Sequence, residues 1–297
     1  METVTTIERS KEAQTAQTIK IKPRWHTWVL HTLYYLTMLV FLVFYMLPFW
    51  STVMTSFKPD KEANQSLPIA APTEWTVEGY VQALDELDTP LLTSLTVTIF
   101  GAAGSVFLGS ICAYALSKWK FKLNNVFFIA LVAATYLPFQ AILIPLSQTI
   151  GDIGLYDSMW GLVFAHSVFG MPMCTVMMRG YYADVPDALN RQAMVDGNGT
   201  WAIYRKIVLP NTMIATITTF VFQCTSIWNE MLFALVLAGE DTVAATIALN
   251  NMVGTTAAQP NVQMAGSLIL ALPVLVLYIF MGKYLISGQM SGAVTAS

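Results

Sequence analysis

Six long stretches of the chain carry no Asp, Glu, Lys or Arg. They lie between Arg24 and Lys58, Asp88 and Lys118, Lys122 and Asp152, Asp157 and Arg179, Lys206 and Glu230, and Asp241 and Lys283. Crossing the hydrocarbon core takes about 20 apolar residues in helical form. The runs therefore predict six transmembrane helices, at 28–50, 91–117, 123–147, 157–178, 211–237 and 264–286. The last run is polar in its first half, with Asn250, Asn251, Gln259, Pro260 and Asn261, so its helix begins late. The first run ends in Pro48-Phe49-Trp50 rather than in small residues. It is also longer than a signal-peptide core, so it reads as a retained helix.

Composition supports a bilayer as solvent. The chain is 55% hydrophobic and 11% charged over 297 residues, against about 25% charged in an average soluble domain. Cys112, Cys174 and Cys224 all fall within predicted spans and read as small buried residues, not as a disulfide set or metal ligands.

Charge sets the orientation. Lys and Arg favour cytoplasmic loops. Arg9, Lys11, Lys20, Lys22 and Arg24 precede the first span; Lys118, Lys120 and Lys122 follow the second. Arg179, Arg191, Arg205 and Lys206 follow the fourth, and Lys283 closes the sixth. With six spans, these 13 of 15 basic residues share one side. The other side holds Lys58 and Lys61 and most acids: Glu74, Glu78, Asp85, Glu86, Asp88, Asp152, Asp157, Glu240 and Asp241. Both termini are expected in the cytoplasm, with residues 1–26 and 291–297 as tails around a six-transmembrane domain at 27–290.

The loop from Arg179 to Pro210 is too long for a connector. Asp184-Val185-Pro186-Asp187 predicts a helix start with Asp184 as N-cap. Leu189, Ala193 and Val195 would give that helix an apolar side. Asp196-Gly197-Asn198-Gly199 predicts a break, and Thr200 would cap a second short helix from Trp201 to Val208, ended or kinked by Pro210. A helix, glycine turn and helix on the cytoplasmic face suits docking to a soluble partner.

Residues 191–210, RQAMVDGNGTWAIYRKIVLP, resemble the EAA loop of ABC importer permeases. Ala193, Asp196, Gly197, Ile207, Leu209 and Pro210 match in identity and spacing. Where that motif has Glu and Ala, this chain has Arg191 and Gln192. Four further segments resemble the carbohydrate-uptake branch, the maltose-type second permease: Ser56-Phe57-Lys58-Pro59, Ala113-Tyr114-Ala115-Leu116-Ser117, Ile144-Pro145-Leu146 and Trp228-Asn229-Glu230. The likeness covers residues 30–290. It implies an all-α integral membrane fold, a six-helix ABC importer type I permease like the maltose permease, in the inner or plasma membrane.

It also implies partners: a second, different permease, an ATPase dimer and an extracytoplasmic sugar-binding protein. Arg191, Gln192, Ala193, Asp196, Gly197, Ile207, Leu209 and Pro210 would form the ATPase-coupling loop. With Arg191 in place of the Glu, this half would dock by shape. The chain holds no GxxxxGK[ST], so no cofactor is expected on it; ATP and magnesium would sit on the partner. By the same likeness the polar segment 238–263 would meet the binding protein.

The pathway should be lined by the few polar residues within spans. Gln140, Gln223, Trp228, Asn229 and Glu230 are the candidates, with Gln148, His166, Tyr136 and Phe222 beside them. Sugar hydroxyls need hydrogen-bond partners and aromatic rings cover sugar faces. Each polar residue has a plainer reading as an interhelical hydrogen bond. Gly101-Ala102-Ala103-Gly104-Ser105 reads as a close helix-packing surface. Leu137-Pro138-Phe139-Gln140, Leu249-Asn250-Asn251 and Gly292-Ala293-Val294 look most like permeases for glucose or mannose, with small glucosides and disaccharides open. An ion-coupled secondary transporter is the alternative, but it should show internal repeats and intramembrane charges. A membrane enzyme would need a nucleophile and base, and three scattered histidines offer little.

Overall fold

The structure, a computed structural model, describes residues 25–239, 242–254 and 259–294. The basic residues Arg9, Lys11, Lys20, Lys22 and Arg24, the side chain of Lys283, and the acids Glu240 and Asp241 lie outside the described set. The chain divides into two compact units, Met1–Trp50 and Ser51–Ser297. Helix α1 (Trp25–Ser56) begins in the first. Its residues 28–50 are all exposed and almost all apolar, which suits lipid or protein contact and not water.

Within the second unit α2 (Asp60–Gln65) is a short turn of helix, and α3 (Glu78–Lys118) is a rod of 41 residues. At 1.5 Å per residue α3 is about 60 Å long, twice the hydrocarbon thickness. The helix therefore starts before the span predicted at 91–117 and contains it. Asp85, Glu86 and Asp88 sit on helix, beyond the part an apolar solvent can cover.

The third and fifth spans are not the continuous helices predicted at 123–147 and 211–237. The third is α4 (Asn124–Ala134), a 3₁₀ turn (Phe139–Ala141) and α5 (Leu143–Asp152). Pro138 is extended, with φ −68° and ψ 123°; it lacks an N–H and disfavours helix in the residue before it. Then α6 (Met159–Asp184) follows, opened by Ser158, whose side chain accepts from the Trp160 N–H. The fifth span is α10 (Met213–Trp228) and α11 (Leu232–Leu237). Between these spans lie α7 (Asp187–Val195), α8 (Thr200–Ile203), a π-helical turn (Tyr204–Val208) and α9 (Leu209–Asn211). Finally come α12 (Ala245–Gly254) and α13 (Pro260–Val294). The polar segment 238–263, expected as an outer loop that would meet the binding protein, contains a helix. Ala245 and Met252 on α12 pack with Ala83, Leu87 and Ala265.

Helix directions follow from the contacts. Ser105 Oγ donates to the His166 carbonyl at 2.8 Å, Thr175 Oγ1 donates to the Gly109 carbonyl at 3.3 Å, and Lys118 meets Asp187 at 3.1 Å. Numbers rise together, so α3 and α6 are parallel. The segment between them must carry the chain back, broken or not. Gly79 lies against Asn261 and Gly266 beside Leu87, so α13 is parallel to α3 as well. Ile227 packs at Gly101 and Gln223 at Gly170, so α10 runs the other way.

Small residues bring α3 and α6 together as expected. A β-carbon on Gly104 would overlap Ser167, and one on Gly109 would come 2.5 Å from Cys174 Cβ. Cys174 and Cys224 are buried and all three cysteines are free thiols. At the other end of α3, Lys58 is fully buried instead of solvated. Its Nζ donates to Ser66 Oγ at 2.7 Å and to the Leu67 carbonyl at 2.8 Å. Phe57 rests on Trp75 and Tyr80, and Ser56 shares a hydrogen bond with Tyr80 at 2.9 Å. The Ser56-Phe57-Lys58-Pro59 segment is thus the clasp that folds residues 57–80 onto the bundle.

Candidate functional site

The segment 184–211 forms a knob at the Lys118 end of α3. Its start differs from the expectation. Asp184 ends α6 and does not cap α7; the cap position is Pro186 and the first turn carries Asp187. Val195 is 88% exposed and Leu189 is exposed, while Asn190 and Ala193 turn inward. One face of α7 is therefore narrower and more polar than the spacing suggested. Thr200 opens α8 one residue inside its cap, Gly199.

The break after α7 is a Schellman motif. Gly197 has φ +81°. Its N–H donates to the Met194 carbonyl at 3.1 Å, and the Asn198 N–H donates to the Ala193 carbonyl at 2.9 Å. Glycine adopts this left-handed backbone without penalty, which is why helices end on it. The turn presents Arg191, Gln192, Asp196 and Gly197 to the surroundings. Pro210 is exposed too. Ala193 is buried, and Ile207 and Leu209 pack against the core, so these three support the knob from below.

Side chains to which the sequence assigned no such role fix the knob to the bundle and close the bundle beneath it. Lys118 Nζ donates to the Val185 carbonyl at 2.5 Å and to Asp187 Oδ1 at 3.1 Å. This partner holds the Asp187 carboxyl below the usual aspartate range, first by the hydrogen bond and then by charge. Tyr114 donates to the Thr200 carbonyl at 3.3 Å, and its ring lies tilted against that of Tyr204 at 5.3 Å. Arg179 lies 3.9 Å over the Phe128 ring. Asn124 Nδ2 donates to the carbonyls of Leu116 and Trp119, both at 2.9 Å, closing the end of α3. The sequence carried one usable signal: Ser110 and Tyr114 are four apart and share a helix face.

A cleft of ≈ 460 Å³ gathers part of the predicted pathway. His166, Phe222, Gln223 and Glu230 line it, with Thr135 and Ser226. Its wall is an aromatic cluster missed in the sequence: Phe233 lies 5.3 Å from Phe139, 5.5 Å from Phe169 and 5.1 Å from His166. Glu230 is held in place. Its oxygens accept from the N–H groups of Leu232 at 2.6 Å and Phe233 at 2.9 Å, capping α11, and Oε2 lies 3.9 Å from His166 Nε2. Gln140, Gln148, Asn229 and Tyr136 are exposed and stand outside the lining. Trp228 is buried behind it, its Nε1 donating to the Leu270 carbonyl at 3.0 Å.

Long apolar helices, a helical knob at one end and a cleft edged by a few polar groups define a multi-span membrane permease. The chain belongs to the family described as binding-protein-dependent transport system inner membrane component, whose pattern matches residues 105–285. Members are permease subunits of ABC transporters and not enzymes. The chain is 38% identical to a "Probable ABC transporter permease protein" of Pyrococcus horikoshii, over 88% of this chain and 96% of that one. It is 30% identical to a glucose import system permease protein of Saccharolobus solfataricus, over 88% and 93%. The crystal structure of a bacterial ABC transporter that imports the acidic polysaccharide alginate matches the fold with a TM-score of 0.74 at 19% identity, over 86% and 96%. A pattern for serpentine seven-helix chemoreceptors (Srh) also matches residues 7–160. Among the described residues that stretch holds only α1 to α5 and the start of α6, short of seven spans. Its likeness reflects apolar helices common to multi-span proteins.

Proposed function

We propose that this chain is one of two different permease subunits of an ATP-driven sugar importer, with both termini in the cytoplasm. Sugar would arrive from an extracytoplasmic binding protein. The knob at 184–211 would dock on a separate ATPase dimer, which carries the ATP and magnesium. The observation that carries this reading is the knob itself: an exposed Schellman turn at Gly197, at the end of the molecule where basic residues collect. Arg191 and Gln192 stand exposed where the related motif has Glu and Ala, so docking here would rest on shape and hydrogen bonds. The cleft with Gln223, Glu230, His166 and the phenylalanine cluster would be this subunit's side of the sugar path. Gln140, Trp228 and Asn229 would act at its edges. Glucose, mannose or a small glucoside is the favoured cargo, supported by the glucose-import relative.

Gly197→Asp should abolish uptake while the amount of protein in the membrane stays unchanged, since any β-carbon strains the left-handed turn and a charge fouls the docking face. A cysteine placed at Gln192 should crosslink to the ATPase. Normal uptake by the Asp variant, or a residue 192 that reacts only from outside the cell, overturns the reading. Screening the cognate binding protein with glucose, mannose and glucosylglycerol identifies the cargo.

A further inference from the structure

Between knob and bundle lies a group of hydroxyls for which membrane insertion supplies no reason. Ser110 Oγ, on α3, sits 2.5 Å from the Tyr182 hydroxyl on α6 and 2.7 Å from the Tyr204 hydroxyl on the π turn. Ser110, Tyr182 and Tyr204 are all buried. Around them are apolar side chains: Val106, Ala113, Met178, Ile203 and Val208. Thr212 and Thr216, at the entry to α10, also approach the Tyr182 hydroxyl. Four elements therefore meet at one polar point inside a low-dielectric cluster.

A serine hydroxyl has one proton and two lone pairs. It can donate to one phenol and accept from the other, and the chain of three protons can reverse without moving a heavy atom. In either sense each of the three hydroxyls keeps at least one partner, whereas a broken bridge leaves buried hydroxyls without one. Tyr204 is also the first residue of the π turn, and segment Thr200–Asn211 meets α10 at an 80° bend. Single π turns often sit at functional positions in helices. A wide apolar space, ≈ 670 Å³, borders Ser110, Tyr204, Leu209 and Phe220.

We propose that the Ser110, Tyr182 and Tyr204 hydroxyls are positioning residues for coupling: the pivot through which motion of the knob reaches α3, α6 and α10 together. This rests on the knob being the ATPase-docking element. Without the pivot, the knob would still dock and the ATPase would still turn over, but the cleft would no longer follow the nucleotide.

The test uses the complete transporter in proteoliposomes. Native cysteines are replaced and a reporter cysteine is placed at Ser226 in the cleft. Its modification rate by a thiol reagent is compared with and without ATP and vanadate, which needs no knowledge of the sugar. The parent protein should show a nucleotide response of roughly fivefold or more. Ser110→Ala should abolish that ratio while hydrolysis persists, and Ser110→Thr should restore it. Tyr204→Phe, which keeps the ring and removes only the hydroxyl, should match the alanine variant and serves where that variant assembles poorly. A wild-type response in both Ser110→Ala and Tyr204→Phe overturns the pivot alone. Failure of Ser110→Thr to restore the ratio reduces it to packing and also overturns it. A parent protein with no nucleotide response sinks the coupling reading beneath it.

Discussion

Lys118 shows how one side chain joins a span to the knob. Its stem is buried and its ammonium faces the Val185 carbonyl and the Asp187 carboxylate at the first turn of α7. The negative charge also suits the positive end of that helix. The sign of the pH effect follows. Asp187 titrates below its ordinary 3.8 in the folded protein, so its contribution is fully present above that value. It is lost as pH falls through the lower, folded value. Protection of the α7 amides, their exchange rate taken relative to the intrinsic rate at each pH, should therefore hold steady from neutral pH down to the ordinary aspartate value, then drop below it, giving faster exchange relative to that rate. Lys118→Met should bring the faster exchange to neutral pH. The residues that hold the knob were mostly illegible in the sequence because their bonds span 67 to 94 positions, as Ser110 with Tyr182 and Tyr204 illustrates. Gly197 was legible because its reason is local: a helix ends there, and only the chain's own backbone is needed to say so.

At the scale of elements, the apolar runs told where chain is buried but not where helix stops. The run 211–237 reads as one span, yet Glu230 ends it by offering carboxylate oxygens to the next two free amides. Asn229 turns back to the Thr225 carbonyl at 2.8 Å at the same place. Polar side chains that bond the nearby backbone compete with helix in this way. Glu230→Ala should cost α11 about 1 kcal/mol, the usual worth of a cap, with Glu230→Gln in between. Site-resolved exchange at Leu232 and Phe233 reads this directly, and unchanged protection there in the Ala variant contradicts the capping role. The Gly101–Ser105 patch was read correctly because small residues at that spacing have one physical use between spans, close approach of backbones. Cleft residues fared unevenly: Gln223, His166 and Glu230 meet, while Gln140 and Asn229, equally polar, lie to the side. Polarity marks a residue as costly in lipid without saying which neighbour relieves it.

For the whole molecule, direction is the decisive fact. Helices α3, α6 and α13 run one way and α10 the other, so residues near α2 and residues in the knob must lie on opposite faces of a membrane. Single cysteines at Asn64 and Asp196 should react with an impermeant reagent from opposite sides, one in intact cells and the other only in inverted vesicles. Labelling of both from one side contradicts the directions. The broken third span adds a constraint of another kind. Residues 135–142 have given up regular helical pairing, and hydrocarbon offers peptide groups nothing in exchange. Tyr136, Leu137, Pro138, Phe139 and Gln140 are all uncovered in the isolated chain. Acyl chains would leave such peptide groups unpaired, so this flank of the protein is expected to turn away from the fatty environment.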